Sequence, residues 1–235
     1  MTNPLATPPA ILQSVQIGAI RNYGREDAMD THDTPWTTGF FKTPVSGSIF
    51  LSKINLEGDR QADLINHGGI DKAVLGYSAD HYPKWRSELQ LPEMPFGAFG
   101  ENLTITGLNE ELACIGDIFH IGPVKLQVSQ PRQPCWKLAR RWRMHELTGL
   151  VIRNGRSGWY FRVLEEGSIE ARMPVMLVER PNPDWTVARA NHILHHMKMD
   201  LAATLELAAV PELADSWVEE LRERAGRLRA LSPND

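Results

Sequence analysis

The hydrophobic and polar positions change period along the 235-residue chain. From Ile11 to Ile20, Val15, Ile17 and Ala19 alternate with Gln16 and Gly18, the period of two of a half-buried strand. Short apolar runs recur at 48–54, 72–77, 101–106, 117–121, 124–129, 158–164 and 174–179. Gly122-Pro123 separates two of them as a tight connection, and Glu165-Glu166-Gly167 reads as a turn. Residues 21–44, rich in Gly, Asp, Thr and Pro, predict an irregular segment. Helical spacing appears at 79–90, with Ser78 as N-cap and Pro92 beyond the end. It appears again at 136–152, with a break near Gly149. Residues 1–10, which hold three prolines, predict a disordered lead-in.

Past the linker Arg180-Pro-Asn-Pro-Asp184 the period becomes helical. Thr186 or Asp184 caps a helix to Met197, Asp200 caps a second to Ala209, and Pro211 opens a third over 212–229. The chain therefore divides into a strand-rich domain at 11–180 and a three-helix unit at 184–230. A unit that small has little core of its own and should lean on the larger domain. Many short strands punctuated by Gly and Pro, without regular alternation with helices, predict an α+β, mainly β fold with a closed sheet or barrel. No GxGxxG or Walker loop is present.

Composition narrows the function. Hydrophobic residues make up 42% of the chain and glycines number 18, the apolar share of a globular protein. The net charge of −4 does not suit a nucleic-acid binder. No apolar run approaches the roughly 18 residues of a membrane span, and the N-terminus lacks the basic and apolar regions of a secretory signal. Two cysteines, Cys114 and Cys135, make no disulfide framework and no iron–sulfur quartet. A cytoplasmic protein is expected.

The chemistry concentrates in 118–145, a stretch without Asp or Glu that carries Lys125, Arg132, Lys137, Arg140, Arg141 and Arg143. Cys135 lies inside it, between a strand end and a helix start. Neighbouring cations and a helix N-terminus favour the thiolate, which can be a nucleophile or a metal ligand. The same cations suit a phosphate. Arg140, Arg141 and Arg143 cannot all face one ligand, and a small buried cysteine beside a solvated basic face is the plainer alternative. His67-Gly68-Gly69 is a turn that lets backbone approach a ligand, with Asp71 and Lys72 close by. Asn102 offers a donor and an acceptor, or simply caps a turn. Arg162 lies on an aromatic strand whose Trp159, Tyr160 and Phe161 read mainly as core. His192 and His196 have i,i+4 spacing but no obvious acidic third ligand.

The segments LEGDRQAD, HGGIDKAVLGY, FGENLTITGL, IGDIFHIG, VSQPRQPCWKL and GRSGWYFRVLEEG, in this order, resemble the MOSC domain family, named for the C-terminal domain of molybdenum cofactor sulfurase. The following helical unit is similar to that of its bacterial YiiM-like type. The resemblance implies a closed β-barrel with peripheral helices and a molybdenum–pterin cofactor (Mo-molybdopterin) whose metal is bound by Cys135. It implies cofactor contacts at Ser129, Arg132 and Lys137, and more weakly at Asn102, Arg162 and Lys72, with His67 and Asp71 as candidate catalytic groups. It further implies an oxidoreductase that reduces small N-hydroxylated compounds such as hydroxylamino-purines, hydroxylamines and amidoximes. Electrons would come from a separate reductase, since no flavin or haem motif is visible. Two alternatives stay open: sulfur transfer through a Cys135 persulfide, and a non-enzymatic molybdopterin carrier.

Overall fold

A computed structural model describes residues 10–231 of the protein. The predicted lead-in therefore lies, apart from Ala10, outside the described residues. The strands are β1 (Ala10–Ile17), β2 (Arg21–Tyr23), β3 (Trp36–Thr38), β4 (Thr43–Pro44), β5 (Ile49–Leu51), β6 (Val74–Ser78), β7 (Leu103–Thr106), β8 (Ile118–Ile121), β9 (Val124–Pro131), β10 (Trp159–Glu165), β11 (Gly167–Ile169) and β12 (Pro174–Glu179). The helices are α1 (Leu64–His67), α2 (Tyr82–Glu88), α3 (Trp136–Trp142), α4 (Leu147–Asn154), α5 (Val187–His195), α6 (Leu201–Ala208) and α7 (Asp215–Leu231).

Seven strands close a barrel in the order β12-β8-β9-β10-β6-β7-β1, with β1 pairing back onto β12. Only β6 and β7 run parallel, so the barrel is mixed. That parallel step needs a long crossover, and α2 with the following loop supplies it. Closure removes the sheet edges that would otherwise present unpaired backbone groups. Along β10 and over residues 124–128 of β9 alternate residues are buried. Leu126, Val128, Trp159, Phe161 and Val163 fill the interior.

Several boundaries differ from the sequence expectation. The region 21–44 contains a small hairpin, β2–β3, and the short β4 paired with the end of β1. Gly167 opens β11, which pairs with β5, rather than closing a turn. The helix at 79–90 is a 3-10 turn over Ala79–His81 followed by α2; Ser78 does accept the Asp80 amide, at 3.3 Å. The break in 136–152 falls at Arg143, not at Gly149, which lies inside α4. Arg143 adopts a left-handed φ of 54°, and its guanidinium pairs with Asp30 (2.8 Å) and Asp33. The last helix begins at Asp215, since Pro211 lies in the turn before it.

Two apolar clusters organise the interior. The larger joins the barrel to α5–α7, with Val187, Ile193, Leu194, Leu207, Trp217 and Leu221 in the same cluster as the barrel residues. Three short helices could not bury these side chains among themselves. The smaller cluster packs Tyr77, Tyr82, Trp85 and Phe99 against Leu138, Leu147 and Val151, and so ties α2 to α3 and α4.

Candidate functional site

Cys135 follows the end of β9 and occupies the N-cap position of α3, in extended backbone conformation. Two connected hollows meet there. An inner recess of about 70 Å³ reaches toward Lys42, Arg60 and Arg132. An outer chamber of about 480 Å³ opens past Trp136, Gln133 and Asn66. They share Ala62, His67, Lys72, Cys135, Lys137 and Tyr160.

Of the residues singled out in the sequence, six line the recess: Cys135, His67, Lys72, Asn102, Arg132 and Lys137. Their surroundings differ. Arg132 is 3% exposed; one guanidinium nitrogen donates to the Phe99 carbonyl at 3.2 Å, and Nη1 is buried without a protein partner. Lys137 is buried, its ammonium 6.0 Å from the Trp136 ring centre. Lys72 donates to the Asn66 carbonyl at 2.9 Å, and burial lowers its pKa. Asn102 stands in the wall with its amide committed to protein: Oδ1 accepts from the Leu75 amide, and Nδ2 donates to the Gln16 carbonyl and to Asp59.

Asp71, Ser129 and Arg162 are not among the lining residues of either hollow. The structure joins them to one another instead: Arg162 Nε lies 2.7 Å from Asp71 Oδ1, and Ser129 Oγ donates to the Asp71 carbonyl at 2.6 Å. The three arginines after Cys135 also point away from the recess. Arg140 donates to the carbonyls of His32 and Thr34, and lies against the rings of both Trp36 and Trp136. Arg141 reaches the carbonyls of Phe40 and Gly97. With Arg143 they strap the 30–41 segment onto α3, so much of the local positive charge serves the wall rather than a ligand. His192 lies on α5 and His196 is its C-cap, both outside the two hollows.

The sequence reading missed part of the wall. Lys42, buried beneath the recess, pairs with fully buried Asp59. Burial pulls its pKa down and Asp59 opposes that pull. Nothing in the run Phe40-Phe41-Lys42 signals this role. Gly39 is a second case: a Cβ there would lie 2.0 Å from the Arg60 carbonyl oxygen, so the Thr38–Phe40 wall can approach the 59–61 loop only through glycine. Tyr160 belongs to an aromatic run that reads mainly as core, but period two turns it to the recess while Trp159 and Phe161 face the interior. Its phenol is pushed up to about 12 by burial, so it remains a hydrogen-bond donor.

His67 is held down to about 4, first by burial and then by the nearby Lys137 charge. It is therefore neutral near pH 7 and free to accept a hydrogen bond. An anion in the recess offsets the lysine and arginine charges. Inorganic phosphate is expected to raise the His67 pKa from about 4 toward the ordinary 6.5, read by NMR titration of the ring protons. An unmoved His67 at saturating phosphate would place the anion elsewhere. Between those two values the unfolded chain binds the proton that the folded chain refuses, so the His67 contribution is lost as pH falls from about 6.5 to about 4.

A closed mixed barrel with a lone cysteine in a basic cavity defines the class, and the comparisons agree: the MOSC domain model matches residues 63–176. The chain belongs to the MOSC domain family. A second model, the YiiM-like 3-alpha helix domain, matches residues 185–224. Among curated relatives, YflK of Bacillus subtilis (strain 168) is 41% identical over 207 residues, covering 88% of this chain and 93% of that one. Protein YiiM of Escherichia coli (strain K12) is 37% identical over 195 residues, covering 81% and 87%. A protein of Gibberella moniliformis named Reductase is 35% identical over 220 residues; the match covers 92% of this chain but 37% of that longer one. The crystal structure of YiiM from Geobacillus stearothermophilus superposes with a TM-score of 0.77 at 35% identity, covering 92% of this chain and all of that one. No helix among the described residues is long and apolar enough to cross a membrane.

Proposed function

We propose that the protein is a molybdenum-cofactor-dependent reductase of small N-hydroxylated compounds, supplied with electrons by a separate donor protein. The observation that carries this reading is the single half-buried Cys135 in a recess lined by Lys42, Lys72, Arg132 and Lys137. A thiolate is a soft ligand for a transition metal, and buried cations suit the phosphate of a pterin. The residues fit the group: Arg132 Nη1 is a buried donor with no protein partner. Among the described residues no three His, Cys, Asp or Glu side chains gather as a metal-binding set. A metal held at Cys135 would therefore need ligands other than a protein cluster of those residue types. The name of the fungal relative adds support for redox chemistry.

Within this reading Cys135 would hold the metal, and Arg132 and Lys137 would hold the phosphate of the cofactor. When bound, the cofactor supplies the two-electron reduction of the N–O bond, with release of water. His67, neutral at pH 7, stands in the cavity wall where it can accept a hydrogen bond from an N-hydroxyl group. Tyr160, protonated, can donate one.

The test is elemental analysis for molybdenum, with pterin fluorescence, on full-length protein from a host that makes the cofactor. The same protein is then assayed with a hydroxylamino-purine and a chemical reductant. Near-stoichiometric metal and pterin with turnover are expected. Turnover that persists after the metal is removed would sink the reading, and a persulfide on Cys135 in metal-free protein would favour sulfur transfer. Arg132→Ala should weaken cofactor retention by about 10- to 100-fold, the weight of one hydrogen bond to a charged group. Full pterin content in that variant would remove Arg132 from the site.

A further inference from the structure

We infer that Arg162 is a positioning residue that ties the segment carrying His67 and Lys72 to the turn between α6 and α7. That segment needs an external hold. Neither α1 nor the 3-10 turn over Ile70–Lys72 contains a buried residue. Its large aliphatic side chains point outward, with Leu64 at 69%, Ile65 at 93% and Ile70 at 65% exposure. Apolar packing therefore cannot fix it, yet it places His67 and Lys72 in the cavity wall.

The hold comes through Asp71, between the two. Nε and Nη2 of Arg162 both lie 2.7 Å from Asp71 Oδ1, and the Ser129 hydroxyl donates to the Asp71 carbonyl at 2.6 Å. Arg162 turns its remaining donors elsewhere: Nη1 reaches Gln127 Oε1 at 3.0 Å and the Glu212 carbonyl at 3.1 Å. The fork geometry of a guanidinium allows one side chain to serve a carboxylate and a carbonyl at once. The same turn is joined to β9 beside this link: the Ala214 amide donates to the Ser129 carbonyl at 3.0 Å, and Gln130 and Ser216 side chains lie 3.4 Å apart. Gln133, two residues before Cys135, donates to Glu220 of α7 at 2.9 Å. The C-terminal helices thus brace the strand leading to Cys135 and, through Arg162, the segment that carries His67 and Lys72 in the same cavity.

The link joins protein groups only, so it holds whether or not molybdenum binds at Cys135. It is tested by hydrogen–deuterium exchange on metal-free full-length wild type, Arg162→Gln, Asp71→Asn and the double variant, with inorganic phosphate as the cavity probe. Arg162→Gln should speed exchange at 64–72 and at 212–216 together, by about tenfold or more, while β6 and β7 stay unchanged. Phosphate should bind at least several-fold more weakly. Asp71→Asn should loosen 64–72 alone. The double variant should add little at 64–72, because both changes break one link. Arg162→Lys should restore 64–72 in part and leave 212–216 loose. Unchanged exchange at 64–72 in Arg162→Gln overturns the inference. So does a uniform rise across all elements, which would mean that Arg162 adds only general stability.

Discussion

On the proposed function, Cys135→Ser protein is expected to fold as wild type, to retain no molybdenum and to show no reductase activity. Cys135 is half-buried, and the backbone around it carries the local structure: its carbonyl accepts from the Leu138 amide at 3.2 Å and from the Thr148 hydroxyl at 3.3 Å. A serine keeps those contacts, so the change in stability should stay within about 0.5 kcal/mol. The metal is another matter. A serine hydroxyl is a hard, neutral and weak ligand beside a thiolate. Substitutions that only touch the partners of a metal ligand already cost about 10- to 100-fold in affinity or activity, so loss of the ligand itself should exceed 100-fold. Metal content, pterin fluorescence and turnover are compared in the two proteins at matched thermal midpoints. Pterin retained with metal lost would separate the roles of Arg132 and Cys135. Wild-type metal content with full turnover in the variant would end the thiolate assignment.

The largest effect on stability is expected from Asp59→Ala. Asp59 is fully buried and pairs with Lys42, itself 8% exposed. It also accepts from the Gly18 amide at 2.7 Å and from Asn102 Nδ2 at 3.0 Å, so one carboxylate joins β1, the 59–61 loop and the start of β7. Removing it strands a buried ammonium, which costs about 3–5 kcal/mol. For a chain of this size the thermal midpoint should fall by roughly 6–20 °C. Burial already lowers the Lys42 pKa, and loss of Asp59 lowers it further. The folded variant then holds Lys42 neutral where the unfolded chain holds it charged. Its stability should accordingly rise with pH up to the ordinary lysine value of 10.5. The double variant Asp59→Ala with Lys42→Met should recover much of the loss, because no unpaired charge remains. A midpoint within a degree of wild type for Asp59→Ala would show that water reaches Lys42.

Much of the site was legible because its chemistry is local in sequence. Arg132, Cys135 and Lys137 lie within six residues, and a stretch without acidic residues stands out in a chain of net charge −4. His67 and Lys72 were legible for the same reason, flanking a Gly-Gly turn. Asp71, Ser129 and Arg162 share those motifs, yet the structure uses them on one another rather than in the cavity wall. Motif membership says that a residue type is needed there, and both a ligand contact and a structural clasp meet that need. The Lys42–Asp59 pair was illegible because its members lie 17 positions apart: Asp59 belongs to the LEGDRQAD segment, but nothing near it points to Lys42 as its partner.

The sequence by itself determined the strand-rich barrel domain, the change to helices after Arg180, and a cysteine in basic surroundings. These depend on periodicity, turn chemistry and local charge, all written within a few residues. Only the tertiary structure decided which cations face the cavity. Arg132 and Lys137 line it, whereas Arg140, Arg141 and Arg143 are drawn away by carbonyls and carboxylates of the 30–41 segment, about a hundred residues earlier. A side chain's partner is set by what the closed barrel brings beside it, and closure is a property of all seven strands at once.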